Sequence, residues 1–291
     1  KTGVSFVYEV RGFWEVTRSS RDKSFMNTAK YRYMALFEKV VCDQADKVIT
    51  ITTPMKKELM HRGLPEEKIS IAFNSVDVER FVPVPRDEAL AEKLSIAGDC
   101  PVIGYVGSIV DYEGLDDLIT AAAALKQEGL KFRLLLVGDG AVFEELHRQV
   151  EELSLEDIVI MPGRVPHEQV ESYYSLVHIA PFPRKPWEVC ELVSPLKPFE
   201  AMAQQKAVVV SSTEALREIV RHGENGMIFE KGNVVSLQNV LRELLTDADL
   251  CARLGQNARN WVMQERTWNH AGQVCVETYG KIREIQDYAG I

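Results

Sequence analysis

The runs Val102-Ile-Gly-Tyr-Val-Gly-Ser108 and Phe132-Arg-Leu-Leu-Leu-Val-Gly-Asp-Gly140 decide how this chain folds. Each is a block of aliphatic residues that stops at glycine. Between them, Leu115–Lys126 carries apolar residues at helical spacing. Strand, amphipathic helix, strand is the signature of α/β folding with a parallel sheet. The alternation continues through strands at Ile158–Met161, Val177–Pro181, Ala207–Ser211 and Met227–Phe229. Helices are expected near Val142–Leu153, His167–Ser175, Pro195–Gln204 and Ala215–Arg221, then two from Ser236 to Val262 and a last one over roughly Ala271–Asp287. Six strands with helices between them make a complete doubly wound domain.

Upstream, Ser5–Val10, Lys47–Ile51 and Lys68–Ala72 read as strands, and Tyr31–Val41 lies within a helix. Thr53 as N-cap and Pro54 in the first turn open another helix, which ends near Gly63. Pro83 and Pro85 break the pattern over Phe81–Arg86, which reads as a linker before a short helix at Asp87–Leu94. Three strands are too few for an independent two-faced parallel sheet, so this front segment is expected to be the tail of a larger domain.

Length (291 residues), 46% hydrophobic and 26% charged residues predict a soluble globular chain of one large or two smaller domains. No apolar run approaches the roughly 18–20 residues that span a bilayer, and the start has neither Met nor a signal-peptide pattern, so upstream residues are expected to be missing. Five scattered cysteines without a Cys-x-x-Cys pair read as thiols in a reducing cytoplasm, and no histidine spacing predicts a metal site. The net charge is −9. Residues 1–86 hold 15 Lys/Arg against 11 Asp/Glu, the remainder 19 against 32. An acidic body of this kind is not expected to take nucleic acid. It holds an anion through helix N-termini and a few placed cations rather than a broad basic field. The positive front reads as a solvated surface, or as a face turned to an anionic membrane or acceptor.

Ligands of open α/β sheets bind where strands end. Gly107 lets backbone approach a ligand and Ser108 offers a hydroxyl. Val137-Gly-Asp-Gly140 reads as a tight structural turn. Gly163, Arg164 and Val165 form a loop whose backbone can pair with a base edge while Arg164 stacks or reaches phosphate. In Glu191-Leu-Val-Ser194-Pro195-Leu196-Lys197-Pro-Phe-Glu200-Ala-Met-Ala203, Ser194 is expected to cap a helix with Pro195 at its first position. Lys197 then falls at the third helical position, an unfavourable place for a cation unless an anion sits there. Glu200 lies on the same face, within reach of a sugar hydroxyl.

Taken in order and spacing, these runs resemble retaining glycosyltransferases of family 4, which have the two-domain GT-B fold. Phe73-Asn-Ser-Val-Asp77 before the linker, Glu218-Ile-Val and Gly223-Glu-Asn-Gly226 belong to the same match, which covers nearly the whole chain. The resemblance implies a complete C-terminal donor domain over residues 87–268, the last part of a similar N-terminal, acceptor-side domain over 1–86, and a terminal helix over 269–291 crossing back to it. It implies that Glu200 binds the ribose, that neighbouring loops hold the diphosphate, and that the Gly163–Val165 loop lies at the base. Two places depart from the pattern. The usual sugar-reading Glu is Leu192 here, with Glu191 one residue off, and the usual basic pair at the Gly107 loop reads Ser108 and Glu113. Neutralising a diphosphate then falls to Lys197 and Arg184, with Lys185 beside it. In the front segment, Arg11 stands where many members place a His near the donor sugar. Glu9 and Trp14 are read as active-site neighbours, with buried packing the favoured reading for Trp14.

The catalytic candidates are therefore Lys197, Arg11 and Glu191. The donor-binding candidates are Gly107, Ser108, Gly163, Arg164, Val165, Arg184, Ser194, Pro195, Leu196, Lys197 and Glu200. The expected activity is hexosyl transfer from a UDP- or GDP-sugar, without metal or cofactor, to a glycan or lipid-linked acceptor at the cytoplasmic membrane face. A separate partner chain supplying the missing strands is the alternative to a fragment. The rival functions are a non-catalytic nucleotide-binding subunit, and a GT-B epimerase or phosphorylase.

Overall fold

The computed structural model describes residues 4–98 and 100–289, and for 283–289 only the course of the backbone. Lys1–Gly3, Asp99, Gly290 and Ile291, which include both outer domain boundaries expected above, lie outside the described residues. The chain forms two compact units, residues 1–75, 187–195 and 266–291 on one side and 76–186 with 196–265 on the other.

The smaller unit opens with β1 (Val7–Val10), α1 (Trp14–Arg21), α2 (Ala29–Gln44), β2 (Lys47–Thr50), α3 (Thr53–His61) and β3 (Ile69–Ile71). Its three strands pair in parallel in the order β1-β2-β3. Helix starts follow local chemistry. Thr28 accepts from Tyr31 N at 3.2 Å, and Thr52, rather than the expected Thr53, accepts from Met55 N at 3.1 Å. Thr53 and Pro54 then occupy the first two helical positions, where Pro loses no intrahelical bond. Helix α1 was not foreseen. Phe13 at its cap offers no side-chain hydrogen bond, and Val16 is its only buried apolar residue. Trp14, expected to be buried, is 77% exposed, because Phe13 fills the core in its place.

The larger unit holds α4 (Glu88–Lys93), β4 (Val102–Val106), α5 (Leu115–Gln127), β5 (Arg133–Val137), α6 (Phe143–Glu152), β6 (Val159–Gly163), α7 (Val170–Leu176) and β7 (Ile179–Phe182). The chain then contributes α8 (Glu188–Leu192) to the smaller unit and returns with α9 (Lys197–Ala203), β8 (Ala207–Ser211), α10 (Glu214–Arg217), β9 (Met227–Phe229), α11 (Val234–Thr246) and α12 (Ala248–Glu265). The last helix, α13 (Trp268–Ala289), belongs to the smaller unit, where it packs on β2 and β3 and Thr278 donates to Ser70 Oγ at 3.0 Å.

All six strands of the larger sheet are parallel, in the order β6-β5-β4-β7-β8-β9. The winding runs outward from β4 to β6, then restarts on the other side of β4 with β7. That reversal between β4 and β7 is the topological switch point, where helices leave the sheet in opposite directions and a crevice opens at the carboxyl ends. Strands β4 and β8 are buried at every residue, as strands covered on both faces must be.

The helix after Val193 begins later than expected. It starts at Lys197, its cap Leu196 makes no side-chain hydrogen bond, and Pro198 lies within its first turn. Ser194 is not the N-cap. Its carbonyl accepts from Asn74 Nδ2 at 2.8 Å and its hydroxyl reaches only the Pro195 carbonyl at 3.5 Å, so this stretch is held as a loop by the smaller unit.

Candidate functional site

The larger unit places its charged cluster at the switch point. Strand β4 ends at Gly107, whose φ of 154° favours glycine, and a β-carbon there would overlap Cδ of Lys197. The lysine side chain thus lies flat against the end of β4. Its Nζ donates to Tyr105 Oη at 2.6 Å and stands 3.0 Å from Glu113 Oε1. The Tyr105 hydroxyl in turn donates to the Ser108 carbonyl at 2.8 Å. Burial, then the Glu113 charge, pushes the Tyr105 hydroxyl well above its ordinary range, so it stays a neutral donor.

Glu113 is only 3% exposed. It sits on a 3-10 turn over Asp111–Glu113 that ends at Gly114, which has a left-handed φ of 74°. A side chain at Gly114 would overlap the Pro183 carbonyl, so glycine lets this loop close on the one that follows β7. The Lys185 amide seals the contact by donating to Tyr112 O at 3.0 Å. The closure brings Arg184, 4% exposed, to 3.5 Å from Glu113 Oε1. Two cations therefore share one carboxylate oxygen in a site almost without water. Glu113 Oε2 is buried with no hydrogen-bond partner, an open acceptor of the kind that costs about 1–3 kcal/mol when left unmade. Burial lowers the Lys197 ammonium below its usual range and Glu113 opposes the shift.

Beside this cluster lies a cleft of about 470 Å³ at the ends of β4, β5 and β6, lined by Gly107, Ser108, Gly138, Asp139, Arg164 and Val165 among others. The turn at Gly138–Gly140, expected to be structural only, also forms a wall of this cleft. A β-carbon on Gly138 would overlap the Gly107 carbonyl, and one on Gly140 the Ile109 carbonyl. The two loops can close only as backbone against backbone, and the doubled glycine was the signal. Gly163 ends β6 and its carbonyl accepts from Gly138 N at 3.0 Å.

Glu200 lies one helical turn after Lys197 on α9. Burial raises its carboxyl, while the charges of Lys197, Arg80 and His167 pull it down. Arg80 and His167, which hydrogen-bond to each other, were not foreseen, because neither stands at a strand end. Phe199 anchors α9, 2% exposed and stacked on Trp261 with ring centroids 6.4 Å apart. Of the expected donor-binding residues, Gly107, Ser108, Gly163, Arg164, Val165, Arg184, Lys197 and Glu200 all lie at these strand ends in the larger unit, and Leu196 caps α9. Ser194, Pro195 and Glu191 fold with the smaller unit. There, Arg11 pairs with Glu9 at 2.8 Å and donates to Asn74 Oδ1 at 2.7 Å, so Asn74 links Arg11 to the Ser194 carbonyl.

Comparison with known proteins places this geometry. A GDP-mannose-dependent phosphatidylinositol monomannoside mannosyltransferase of Mycobacterium tuberculosis is 23% identical over 78% of this chain and 60% of its own. The capsular polysaccharide glycosyltransferase CapM of Staphylococcus aureus is 28% identical over 88% of this chain and 65% of its own. The chain thus spans about three fifths of the length of the curated relatives it matches. Among solved structures, sucrose-phosphate synthase of Thermosynechococcus elongatus superposes with a TM-score of 0.77 at 22% identity, covering 96% of this chain and 68% of that one. Anabaena HepE in complex with UDP-glucose gives 0.77 at 19% identity, over 96% and 72%. These likenesses show the GT-B fold. Residues 86–261, more than half of the sequence, match the profile described as glycosyl transferases group 1, and the chain belongs to that family.

Proposed function

We propose that the larger unit binds a nucleoside diphosphate sugar, a UDP- or GDP-sugar, and that the whole protein transfers the sugar with retention to a hydroxyl of a glycan or lipid-linked acceptor in polysaccharide or glycolipid assembly. One observation carries this reading: Lys197 lies against Gly107 at the switch point, beside the buried Glu113 and Arg184, next to a glycine-walled cleft. A diphosphate laid there meets Lys197 and Arg184, its ribose meets Glu200, and its base meets Arg164 and the Gly163–Val165 loop. Cations fixed in a water-poor site stabilise charge as it gathers on the leaving diphosphate. For Arg11, Glu191, Ser194 and Pro195 the proposal rests on the family resemblance alone.

Thermal-shift titration with UDP, GDP, ADP and their sugars tests the reading, since a ligand of the folded state raises its stability by mass action. Lys197→Ala and Glu200→Ala should each lose the shift and the transfer activity. Unchanged behaviour in both would sink the site. Donor hydrolysis or epimerisation without acceptor would instead identify an epimerase or phosphorylase. The non-catalytic reading draws on Glu113, which stands where the family pattern places a cation, and donor binding without any turnover would favour it.

None of the described helices is long and apolar enough to cross a membrane. Helix α2 nevertheless exposes Tyr33, Leu36, Phe37 and Val40 at 67, 61, 58 and 47%, a helical stripe flanked by exposed Lys30 and Arg32. This composition fits peripheral contact with an anionic cytoplasmic membrane face. Co-sedimentation with phosphatidylglycerol vesicles, lost on Phe37→Glu, is the expected result. Self-association without vesicle binding would point instead to a second chain covering the stripe.

A further inference from the structure

The opposite, amino-terminal edge of the same sheet carries a second pocket, of about 310 Å³. Pro101, His178 and Lys206, the residues immediately before β4, β7 and β8, form its rim, and the junction of α11 with α12 forms its floor. Strands of four to five residues separate it from the candidate donor cleft, about 13–17 Å at the usual rise per residue. The site is independent of the donor reading.

Its lining is chemically one-sided. Val177, Ile179, Leu244, Leu245, Ala248 and Ala252 supply an apolar surface, and no aspartate or glutamate lines it. Lys206 is half-buried on the rim, and among the described residues no ion pair or side-chain hydrogen bond involves its ammonium. A desolvated cation without a counter-charge is costly unless something pairs it. His178 Nδ1 accepts the Val102 N–H at 3.1 Å, which leaves the ring proton on Nε2 as a donor. Burial, with Lys206 and Arg86 nearby, lowers the His178 pKa and keeps the ring neutral.

None of the remaining charged and titratable neighbours places a carboxylate in the lining. Burial pushes the Cys251 thiol up to about 11, so it faces Lys206 uncharged at neutral pH. Asp247, whose charge also raises that thiol, accepts from Leu250 N at 2.8 Å at the start of α12 and is not among the residues lining the pocket. Burial also brings the Lys206 ammonium down to about 8, so it is cationic at pH 7 and readily neutralised above.

We propose that this pocket binds a small monocarboxylate with a compact apolar body, its carboxylate on Lys206 and the His178 Nε2–H and its apolar part on Leu244, Leu245 and Ala252. The volume lies at the low end of small-molecule sites, which limits the ligand to roughly ten non-hydrogen atoms. An inorganic anion would forgo the apolar floor, and an uncharged alkane chain would leave the lysine unpaired.

Octanoate is a suitable probe, with octan-1-ol and acetate as its two halves. Calorimetric titration of the full chain at pH 7 should show one octanoate site, with octan-1-ol and acetate each at least tenfold weaker. Lys206→Met should weaken octanoate at least tenfold and leave octan-1-ol unchanged, while Ala252→Trp, which fills the pocket, should abolish both. Raising the pH from 7 to 9.5 should weaken octanoate at least tenfold but not octan-1-ol. Cooperative unfolding of each variant confirms that it folds, and Lys206→Gln repeats the charge removal with a polar side chain. Equal affinity for octanoate and octan-1-ol, octanoate binding untouched in Lys206→Met and Lys206→Gln, displacement of octanoate by UDP, or no binding at 10 mM (about ten times the weakest Kd worth calling a site) would each overturn the proposal.

Discussion

Replacing Glu113 by glutamine should make the folded chain less stable and make it bind a nucleoside diphosphate more tightly. Oε1 of Glu113 lies 3.0 Å from Lys197 Nζ and 3.5 Å from Arg184 Nε, with Glu113 and Arg184 only 3% and 4% exposed. Removing the Glu113 charge takes from two buried cations the carboxylate oxygen they share and leaves Lys197 only the Glu200 charge one turn along α9. Breaking a buried ion pair from one side costs about 3–5 kcal/mol, or roughly 6–20 °C in the unfolding midpoint of a unit this size. Lys197 can escape part of that cost by losing its proton. Its folded pKa is already below the unfolded value because of burial. The unfolded chain therefore binds more protons, and stability rises with pH between the folded and unfolded values. The loss in Glu113→Gln should be largest near neutral pH and shrink as pH approaches the unfolded lysine value of about 10.4.

Affinity moves the other way. If phosphate binds Lys197 as proposed, Glu113 competes with it for that ammonium. A phosphate oxygen on Nζ, at about 2.8 Å, sets the phosphorus roughly 6–7 Å from the carboxylate, across the lysine contact of 3.0 Å. At an effective dielectric of about 20 the repulsion is about 2.5 kcal/mol per unit of phosphate charge, a factor of roughly 70 in Kd. Salt screening lowers this, so a gain of tenfold or more in UDP or GDP affinity is expected by calorimetry at 50 mM ionic strength, about a 14 Å Debye length. Asp116→Asn, which removes only the partner of Lys185 on a more exposed pair, serves as the control and should change stability by no more than about 1 kcal/mol. If Glu113→Gln loses stability and its affinity for the nucleotide stays level or falls, phosphate does not compete for Lys197 and the donor site lies elsewhere.

Gly138→Ala forces a β-carbon onto the Gly107 carbonyl at a φ of 141°; it should cost about 3 kcal/mol or more in chemical denaturation and abolish nucleotide binding with it. Phe199→Ala removes the anchor of α9 and its stack on Trp261. It should cost about 3–5 kcal/mol and weaken nucleotide binding by loosening Lys197 and Glu200, and full affinity in a destabilised protein would show that α9 is not the positioning element. Lys206→Met should be more stable than the parent at pH 7. The Lys206 pKa is lowered to about 8 by burial, so the parent gains stability between pH 8 and 10.5, where the folded amine is already neutral while the unfolded one still binds its proton. The advantage of the variant, up to about 3 kcal/mol, should vanish by pH 10.5 in paired denaturation curves, and a difference that stays constant with pH would refute the assignment.

The six-strand alternation of the larger unit was legible because its inner strands β4, β7 and β8 are buried at every residue and so read as unbroken apolar runs. Val102–Val106, Ala207–Ser211 and Met227–Phe229 have the expected ends, each set by a glycine, serine or charged residue just beyond. Helices held by tertiary contact rather than by their own pattern were not legible. Helix α8, five residues long, has two buried residues, and its Val189 amide is capped by Ser20, far away in sequence. The site was half legible. Lys197 and Glu200 could be named from residue type at a helix start, and Arg184 only through the family resemblance. The start of α9 was misplaced because Ser-Pro is a strong local capping signal, and here it lost to a tertiary one, the Asn74 bond to the Ser194 carbonyl. Gly138 and Gly140 were read as packing because their contact is with another backbone loop, which carries no sequence pattern of its own.

The departures at Ser108 and Glu113 are physically tied to the presence of Lys197. A lysine side chain lies across Gly107 and reaches Glu113, so the space where a cation at 113 would place its charge already holds one. Arginine 184 adds a second, 3.5 Å from the same oxygen. A basic residue at 113, expected from the family resemblance, would make three like charges in a largely buried cluster, where their repulsion is stronger than in water. A carboxylate there makes the cluster stable without ligand and leaves its net charge at plus one. On the proposed reading the anion-binding charge comes from α9 instead of from the β4 loop, and Glu113 is what lets a lysine be buried there. A basic residue at 113 should therefore be tolerated only together with loss of the Lys197 charge.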